Sequence, residues 1–372
     1  MSRPEPARDA SRDDTRVKRH RVVQWATGSI GQMAIRAIAE RPALELVGCF
    51  VSSEAKQGRD AGELAGIGPL GVSATRDIEE ILGLDAACVH CAPLHPVHGV
   101  VCRLLERGFD VVTPSFYVHP DALAPALRDR LAAACAKGGS TLHGTGIHPG
   151  FSGDRLALTF ASLAQEVRQI VTEEVADLAP HPSRAMMFDG LGFGDPPAHV
   201  RANPPAVLRT MDAFFRQSQR LVADALGAEP DGFETAHDVA VATARTEVRA
   251  GVIEAGTVAA QQFEWRTLVR GHPLVVFRGF WKMTDALDPA WSFSTLKYSV
   301  TIEGTPSVRC GFEPGSTFVG TPDPEFDAGR AGRLWTAMLG VNAIPAVCEA
   351  PPGFLTVADL PPSRVLPPVA VR

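Results

Sequence analysis

The chain is 372 residues long, which allows two or three domains, and its 45% hydrophobic and 21% charged residues are the mix of a globular protein. No apolar run approaches the ~18 residues of a membrane-spanning helix, and the opening Met-Ser-Arg-Pro-Glu-Pro has no apolar core for a secretory signal. A net charge of −6, with no basic tract beyond residues 16–21, argues against nucleic acid, and seven cysteines, an odd and modest number, point to reduced thiols in the cytoplasm.

Residues 1–19 mix Arg, Asp, Pro and Ser with almost no large apolar side chain and read as a disordered leader. From Arg21 to about residue 150, short apolar runs alternate with amphipathic stretches. Residues 21–26, 44–51, 86–92, 111–113 and 140–144 read as strands; residues 30–40, 97–107 and 121–137 read as helices. Strands apolar on both faces and separated by helices predict a parallel βαβ sheet. The texture changes after residue 150. Residues 204–226 carry Val207, Met211, Phe214, Phe215 and Leu221 at roughly helical spacing, and residues 236–313 are alternating segments without intervening helices. That pattern predicts a largely antiparallel second sheet. Residues 327–345 read as a helix ended by Pro345, with a Pro-rich strap beyond it. The expected division is a leader (1–19), a dinucleotide-binding domain (20–150), a second α+β domain (151–326), and a terminal helix with its strap (327–372).

Trp25-Ala-Thr-Gly28-Ser-Ile-Gly31-Gln-Met-Ala34 follows the first strand and opens the first helix. Glycines there let the backbone turn sharply and approach a pyrophosphate, which the free N–H groups and positive end of the helix attract. Strand before and helix after make this a dinucleotide-binding turn, with Ala34 at the close-packing position. The second strand ends Phe50-Val-Ser52-Ser53-Glu54-Ala-Lys56, with Arg59 shortly after. An acidic residue at that tip usually holds the ribose 2′-hydroxyl of NAD. Serines stand there instead, with Lys56 and Arg59 within reach of a 2′-phosphate, so the balance favours NADP. NAD is the alternative, with Glu54 as its acceptor.

Cys88-Val-His-Cys91 has the spacing of redox and zinc sites, but residues three apart on a strand point to opposite faces, so both read as core thiols. His95-Pro-Val-His98 offers two ligands and no third at a recognised spacing, and no metal site is expected. Gly144-Thr-Gly-Ile-His148-Pro-Gly-Phe-Ser-Gly-Asp154 lies where a late strand should end, at the ligand edge of such sheets, and is dense in glycine around one histidine. Thr113-Pro-Ser-Phe116-Tyr117-Val-His119 should flank the same cleft. Tyr117, one of two tyrosines, is placed to donate a proton or to be satisfied in the core.

These segments together resemble the family of 2,4-diaminopentanoate dehydrogenase and the native amine dehydrogenases, whose N-terminal domain is dihydrodipicolinate-reductase-like. The likeness is carried by WATGSIGQMA, LELVGCFV with KQGRDAGEL, HGTGIHPGFSGD, LKYSVTIEGTPSV and VNAIPAVCEAPPGFLTVADLP, from residue 21 to the tail. It implies a Rossmann-type domain, a second domain that dimerises and caps the cofactor, and a terminal helix that packs back on the first domain. It also implies NAD(P)H-dependent interconversion of a carbonyl plus ammonia with an amine. By the same resemblance Gly28, Ser29, Ile30 and Gly31 hold the pyrophosphate, and Ser52 and Ser53 lie near the adenosine ribose. Ala92, Pro93 and Thr113 line the groove, His148, Pro149 and Phe151 face nicotinamide and substrate, and Asn342 meets the carboxamide. The chain departs from the family at one point. The family's Glu, which activates ammonia, follows the strand ending near Thr113, whereas TPSFYVHP has no carboxylate between Asp110 and Asp121.

The reading is therefore a homodimeric NAD(P)H-dependent oxidoreductase that reduces a C=N or C=O bond of a small apolar substrate. Tyr117 is the first candidate proton donor and His148 the second, with Phe116, Phe151 and Trp291 as the apolar wall. The missing Glu predicts weak or absent reductive amination. A ketone or aldehyde reductase on the same scaffold, and a non-catalytic dinucleotide sensor, are the alternatives.

Overall fold

Six short runs with side chains buried on both faces build the first sheet. β1 (His20–Trp25), β2 (Leu44–Phe50), β3 (Ala74–Thr75), β4 (Cys88–Cys91), β5 (Asp110–Thr113) and β6 (Thr141–Gly144) all run parallel. Val22 and Val23, Cys88 and Val89, and Val111 and Val112 are fully buried pairs, as continuous apolar runs between two helix layers require. α1 (Ser29–Ala39), α2 (Ala61–Ala65), α3 (Ile78–Leu82), α4 (His98–Glu106) and α5 (Pro125–Gly138) connect the strands. Leu104 and Leu105 of α4 and Leu131 of α5 cover one face, and Ala34, Ala37 and Ile38 of α1 cover the other. Cys88 and Cys91 are both buried in β4, as core thiols.

The computed structural model describes residues 19–114, 116–294 and 296–361. The expected leader thus lies almost wholly outside the described residues, as do Pro362, Pro367 and Pro368 of the strap. Among the described residues no helix is long and apolar enough to cross a membrane.

The second sheet follows α6 (Arg155–Ala161) and begins with a strand, β7 (Glu166–Asp177), that the sequence pattern did not announce. After α7 (Pro197–Ala202) and α8 (Val207–Ala225) come β8 (Gly232–Ala242), a ribbon of β9 (Thr246–Val248) with β10 (Gly251–Ile253), β11 (Val258–Val269), β12 (His272–Lys282), β13 (Leu287–Asp288), β14 (Tyr298–Thr305) and β15 (Val308–Phe312). The order is β13-β8-β11-β12-β7-β14-β15, with every pairing antiparallel except β7 with β12. Register and alternation place Glu174, Thr172, Phe277, Phe263, Trp265 and Tyr298 on one face, and Glu173, Arg278, Glu264, Arg266 and Ser299 on the other. The first of these faces receives α8. Phe215 packs on Phe277 (centroids 4.4 Å apart), while the adjacent Phe214 points the other way, edge-on to Phe116 at 4.9 Å. One amphipathic helix therefore ties the two sheets together.

The chain then returns. α9 (Ala328–Cys348) lies beside α1 and buries Val341, Ile344 and Val347 against the first sheet, and β16 (Gly353–Leu355) extends that sheet to the order β16-β6-β5-β4-β1-β2-β3. Pro345 does not end the helix as expected. Its fixed φ suits a helix, its missing N–H costs one bond to the carbonyl four residues back, and burial of Ile344 and Val347 carries the last turn through to Cys348.

Candidate active site

The turn after β1 is braced from below and open above. Ala26 sits at φ +71°, a left-handed conformation that costs a non-glycine residue roughly 1–2 kcal/mol. The Gln24 amide offsets this by donating to the carbonyls of Trp25 (3.0 Å) and Ala26 (2.9 Å), while its Oε1 meets His90 Nδ1 at 2.9 Å. Burial pushes His90 down to about 4, so the neutral ring donates from Nδ1. Gly340 of α9 closes the stack, since a Cβ there would lie 2.6 Å from His90 Nε2. Gly31 is needed for the same close approach, because its Cβ would lie 2.1 Å from the Ala26 carbonyl oxygen. Gly28, by contrast, has nothing within 4 Å of a Cβ.

Above Gly28 lies the N-terminus of the 11-residue α1, whose first N–H groups have no intrahelical acceptor. Two cations flank it. Lys56 Nζ donates to Thr27 O (3.0 Å) and Thr27 Oγ1 (3.1 Å), and Arg333 Nε, from α9, donates to Ser29 Oγ at 3.2 Å. An open helix N-terminus between a lysine and an arginine fits a dinucleotide's phosphates. Ser52 and Ser53 are exposed past the end of β2, and Arg59 is exposed beyond Lys56. Ala92 and Pro93 are half-buried after β4, and Thr113 is buried at the end of β5. All of these stand on the carboxyl edge of the parallel sheet with Gly28, Ser29, Ile30 and Gly31. Asn342 does not. α9 runs in the same direction as α1, so Arg333 meets the start of α1 while Asn342 Oδ1 accepts from Arg41 Nη2 (3.3 Å) past its end. It stands about 14 Å of helix below Arg333, away from the edge on which a carboxamide would lie.

The loops after β5 and β6 are folded into each other. A Cβ on Gly144 would lie 2.1 Å from the Phe116 carbonyl oxygen, and Gly150, at φ +119°, would place one 2.3 Å from Gly146 N. Buried Asp154 accepts from Gly150 N (2.8 Å), Arg155 N (2.8 Å) and Ser218 Oγ (3.1 Å), fixing the loop to α6 and α8. This packing overturns two expectations. Tyr117, held at φ +60° and 2% exposed, lies in the core with Cys91 and Cys102; its hydroxyl is 2.6 Å from His98 Nδ1, and burial raises its pKa. A phenol so enclosed is not a proton donor to the cleft. His148 packs against Phe215 (4.9 Å) and Phe277 (4.1 Å), and burial pushes it down to about 3, so it contributes a neutral ring rather than an imidazolium acid. Phe116 is likewise core, and Trp291 packs on Phe280, on the far face of the second sheet from Phe277. Pro149 is buried, and Phe151 is half-buried beside Phe312 at 5.9 Å.

Among the described residues one group of potential metal ligands converges: His119, Asp121 and Asp224. Asp224 is already taken by His119 Nε2 (2.7 Å) and Arg220 Nε (2.7 Å), and the group reads as an ion-pair cluster that fastens the β5 loop to α8.

The residues that do line the junction of the two sheets come from β7, β14 and α9. Tyr298 Oη donates to Glu174 Oε1 at 3.1 Å, and the Tyr298 ring stacks on Phe312 (5.0 Å) and lies 6.2 Å from Trp335. A Cβ on Gly332 would be 3.9 Å from Lys297 Nζ, and Thr336 Cγ2 would be 3.7 Å from one on Gly146. The first turns of α9 thus touch, in succession, Lys297, Ser29, Tyr298 and the Gly146 loop. Burial raises the Glu174 carboxyl above its usual range, against the lowering effects of Lys297 and the Tyr298 hydroxyl.

Comparison with known proteins agrees with this architecture. The model of the 2,4-diaminopentanoate dehydrogenase C-terminal domain matches residues 151–368, more than half of the chain, and that of the dihydrodipicolinate reductase N-terminus matches residues 22–90. An amine dehydrogenase of Streptomyces virginiae is 32% identical over 354 residues, 91% of this chain and 95% of that protein. The chain belongs to the amine dehydrogenase and 2,4-diaminopentanoate dehydrogenase family. Within it, a 2,4-diaminopentanoate dehydrogenase of Acetoanaerobium sticklandii is 23% identical over 71% of this chain and 69% of its own length. The structure of an amine dehydrogenase from Mycobacterium smegmatis shares the fold, with a TM-score of 0.68 at 21% identity over 93% of this chain and 97% of that one. This family member is thus an oxidoreductase of dehydrogenase type.

Glu174, Tyr298, Lys297, Arg333 and Trp335 were not singled out as site residues from the sequence. One signal was there. In Ile170-Val-Thr172-Glu-Glu174 alternation puts one of two adjacent glutamates on the same face as Ile170, the buried one.

Proposed function

We propose that this protein is an NAD(P)H-dependent oxidoreductase that reduces the C=N bond formed from a small apolar carbonyl compound and ammonia, with NADP the preferred cofactor. The observation that carries the reading is the open N-terminus of α1 between Lys56 and Arg333, on the same edge as an aromatic-lined junction holding the half-buried Glu174 carboxylate. When bound, the nicotinamide would supply the hydride. Ser29, Ile30 and Gly31 offer N–H groups to the pyrophosphate, and Gly28 leaves room for it. Lys56, six residues past the end of β2 with its Nζ on Thr27, suits a 2′-phosphate. Phe151, Phe312 and Trp335 give the substrate side an apolar wall, which favours an uncharged carbonyl compound. His148 adds a neutral ring against Phe277.

Calorimetry with NADPH and NADH tests the cofactor assignment without turnover. Lys56→Ala is expected to weaken NADPH about ten- to a hundredfold more than NADH, the size of one charge-assisted phosphate contact. Arg333→Ala, at the shared pyrophosphate, should weaken both alike. Equal losses for Lys56→Ala, or none, would assign NAD instead. Incubation with NADPH and a ketone panel, with and without ammonium, tests the reaction. Amine formation that depends on ammonium is the expected result; alcohol formation irrespective of ammonium would favour the ketone-reductase reading.

A further inference from the structure

Joining ammonia to a carbonyl makes two opposite demands on one group. Ammonium must lose a proton before its nitrogen can attack, and the hydroxyl of the resulting adduct must gain one before it can leave as water. Neither Tyr117 nor His148 meets them, the first being locked on His98 and the second held neutral among phenyl rings. We propose that Glu174 is the proton-carrying catalytic residue of this enzyme, oriented by the hydroxyl of Tyr298. The assignment rests on the C=N reading above.

Position selects it among the buried and half-buried carboxyls. Asp154 is saturated by two N–H groups and a hydroxyl, and Asp224 is paired with His119 and Arg220. Glu264 lies on the far face of the second sheet, gripped by Arg266 and Arg278, with Glu173 beside it. Asp110 begins β5, at the end of the strand away from the cofactor edge. Glu174 lies on the inner face. It spends Oε1 on Tyr298, and among the described residues no donor bonds to its Oε2. The groups that face it from its neighbours are Tyr298 of β14, the adjoining Lys297, and Gly279 of β12, which has no side chain to fill the space. Desolvation raises its carboxyl above the usual range, and Lys297 and the Tyr298 hydroxyl lower it, so both protonation states have support at this position.

The protons balance. Glu174 takes H⁺ from NH₄⁺, and the freed NH₃ adds its electron pair to the carbonyl carbon. A proton shift from nitrogen to oxygen gives the neutral carbinolamine. Glu174 then returns its proton to the hydroxyl as the C–O bond breaks, releasing water and leaving an iminium carbon open to hydride. The sum is ketone, NH₄⁺ and NAD(P)H going to amine, NAD(P)⁺ and water, with Glu174 restored.

Glu174→Gln keeps the shape and the Tyr298 bond but removes the titratable oxygen. The reactions compared are NADPH-dependent amination of a ketone with ammonium, and reduction of a preformed cyclic imine, which needs no ammonia. The expected result is a 10²–10⁴-fold lower kcat for amination, a much smaller loss on the cyclic imine, and NADPH affinity by calorimetry within about twofold of wild type. Glu174→Asp, which retains a carboxyl set back by one methylene, should recover part of the amination rate, and keeps the test valid should the Gln variant fail to fold. Tyr298→Phe, which strips a hydrogen bond from the charged form, should shift the acid limb of the amination pH profile upward, an effect a merely structural Tyr298 would not have. Wild-type amination by folded Glu174→Gln would overturn the assignment and leave the C=N reading standing. Ketone reduction to alcohol by the wild type, indifferent to ammonium, would overturn both.

Discussion

The turns that follow β1 and β5 stand close together on one edge of the same sheet and use their residues in opposite ways. After β1 the outer side is kept empty, with nothing within 4 Å of a Cβ on Gly28, while polar side chains brace the turn from beneath through Gln24 and His90. After β5 the space is filled. Phe116 and Tyr117 go into the core, Tyr117 bonds to His98, and His119 bonds to Asp224. The segment with the richer inventory of proton-transfer groups is the one packed shut. At this edge a ligand's room is made by side chains that are missing, and phenol and imidazole groups are spent on holding loops in place.

The largest effect that would break this contrast is at the glycines. Gly28 is the N-cap of α1 with an ordinary φ of −71° and open space around it, so Gly28→Asp should fold; aspartate is a favoured N-cap. It would nonetheless set a carboxylate at the proposed phosphate position, and NADPH affinity should fall by a hundredfold or more in calorimetry. Gly31→Asp should instead disturb the turn itself, because its Cβ meets the Ala26 carbonyl at 2.1 Å, and should lower the melting temperature as well as binding. Unchanged NADPH affinity in folded Gly28→Asp would remove the phosphate site from this turn.

The same contrast explains what could be read from the sequence. Glycine spacing and apolar runs are local signals, and the first sheet, its helices and the cradle at Gly28 follow from them. Whether Tyr117 faces a cleft or the core depends on the backbone conformation at one residue, φ +60°, and on a partner 19 positions away, which no local pattern specifies. Asn342 was misplaced because the direction of α9 relative to α1 is a matter of tertiary packing. β7 was missed because Arg168, Glu173 and Glu174 interrupt its apolar pattern, and they do so because one of its faces carries ion pairs and the other carries Glu174. On the proposal above, the carboxylate missing between Asp110 and Asp121 is supplied from β7, which no pattern local to the β5 segment could indicate.

A smaller effect tests whether the ring of His148 belongs to the packed or the open kind of site. Burial holds its folded pKa at about 3, below the ~6.5 of an unfolded histidine. The unfolded chain therefore binds the extra proton between these values. The stabilisation from the neutral ring is complete above pH ~6.5 and is lost as pH falls through 6.5 toward 3, by up to ~1.4 kcal/mol per pH unit. His90 and His143, both pushed down to about 4, add the same sign, while Asp110, raised to about 7, adds stability as pH falls and opposes them. His148→Phe should remove one proton from this balance and flatten the loss of stability between pH 6 and pH 4 in urea titrations. An unchanged slope would mean that the ring titrates freely in the cleft.

The smallest effect is expected where the sequence promised the largest. If Tyr117 were the general acid, Tyr117→Phe would lower turnover by 10²–10⁴ and leave stability nearly unchanged. Its buried hydroxyl is instead the partner of His98 Nδ1, at the start of α4. Removing it leaves the imidazole nitrogen without that bond and should cost roughly 1–3 kcal/mol of stability, the usual penalty for a buried polar group whose partner is lost. Turnover and NADPH affinity should stay within about twofold, because Gly144 and the Asp154 clamp hold the neighbouring loop without the phenol. The two outcomes differ in which quantity falls, rate in one and stability in the other, so one variant measured by urea titration and by initial rates decides between them. A large loss of rate without loss of stability would return Tyr117 to the active site and require the β5 loop to open during turnover.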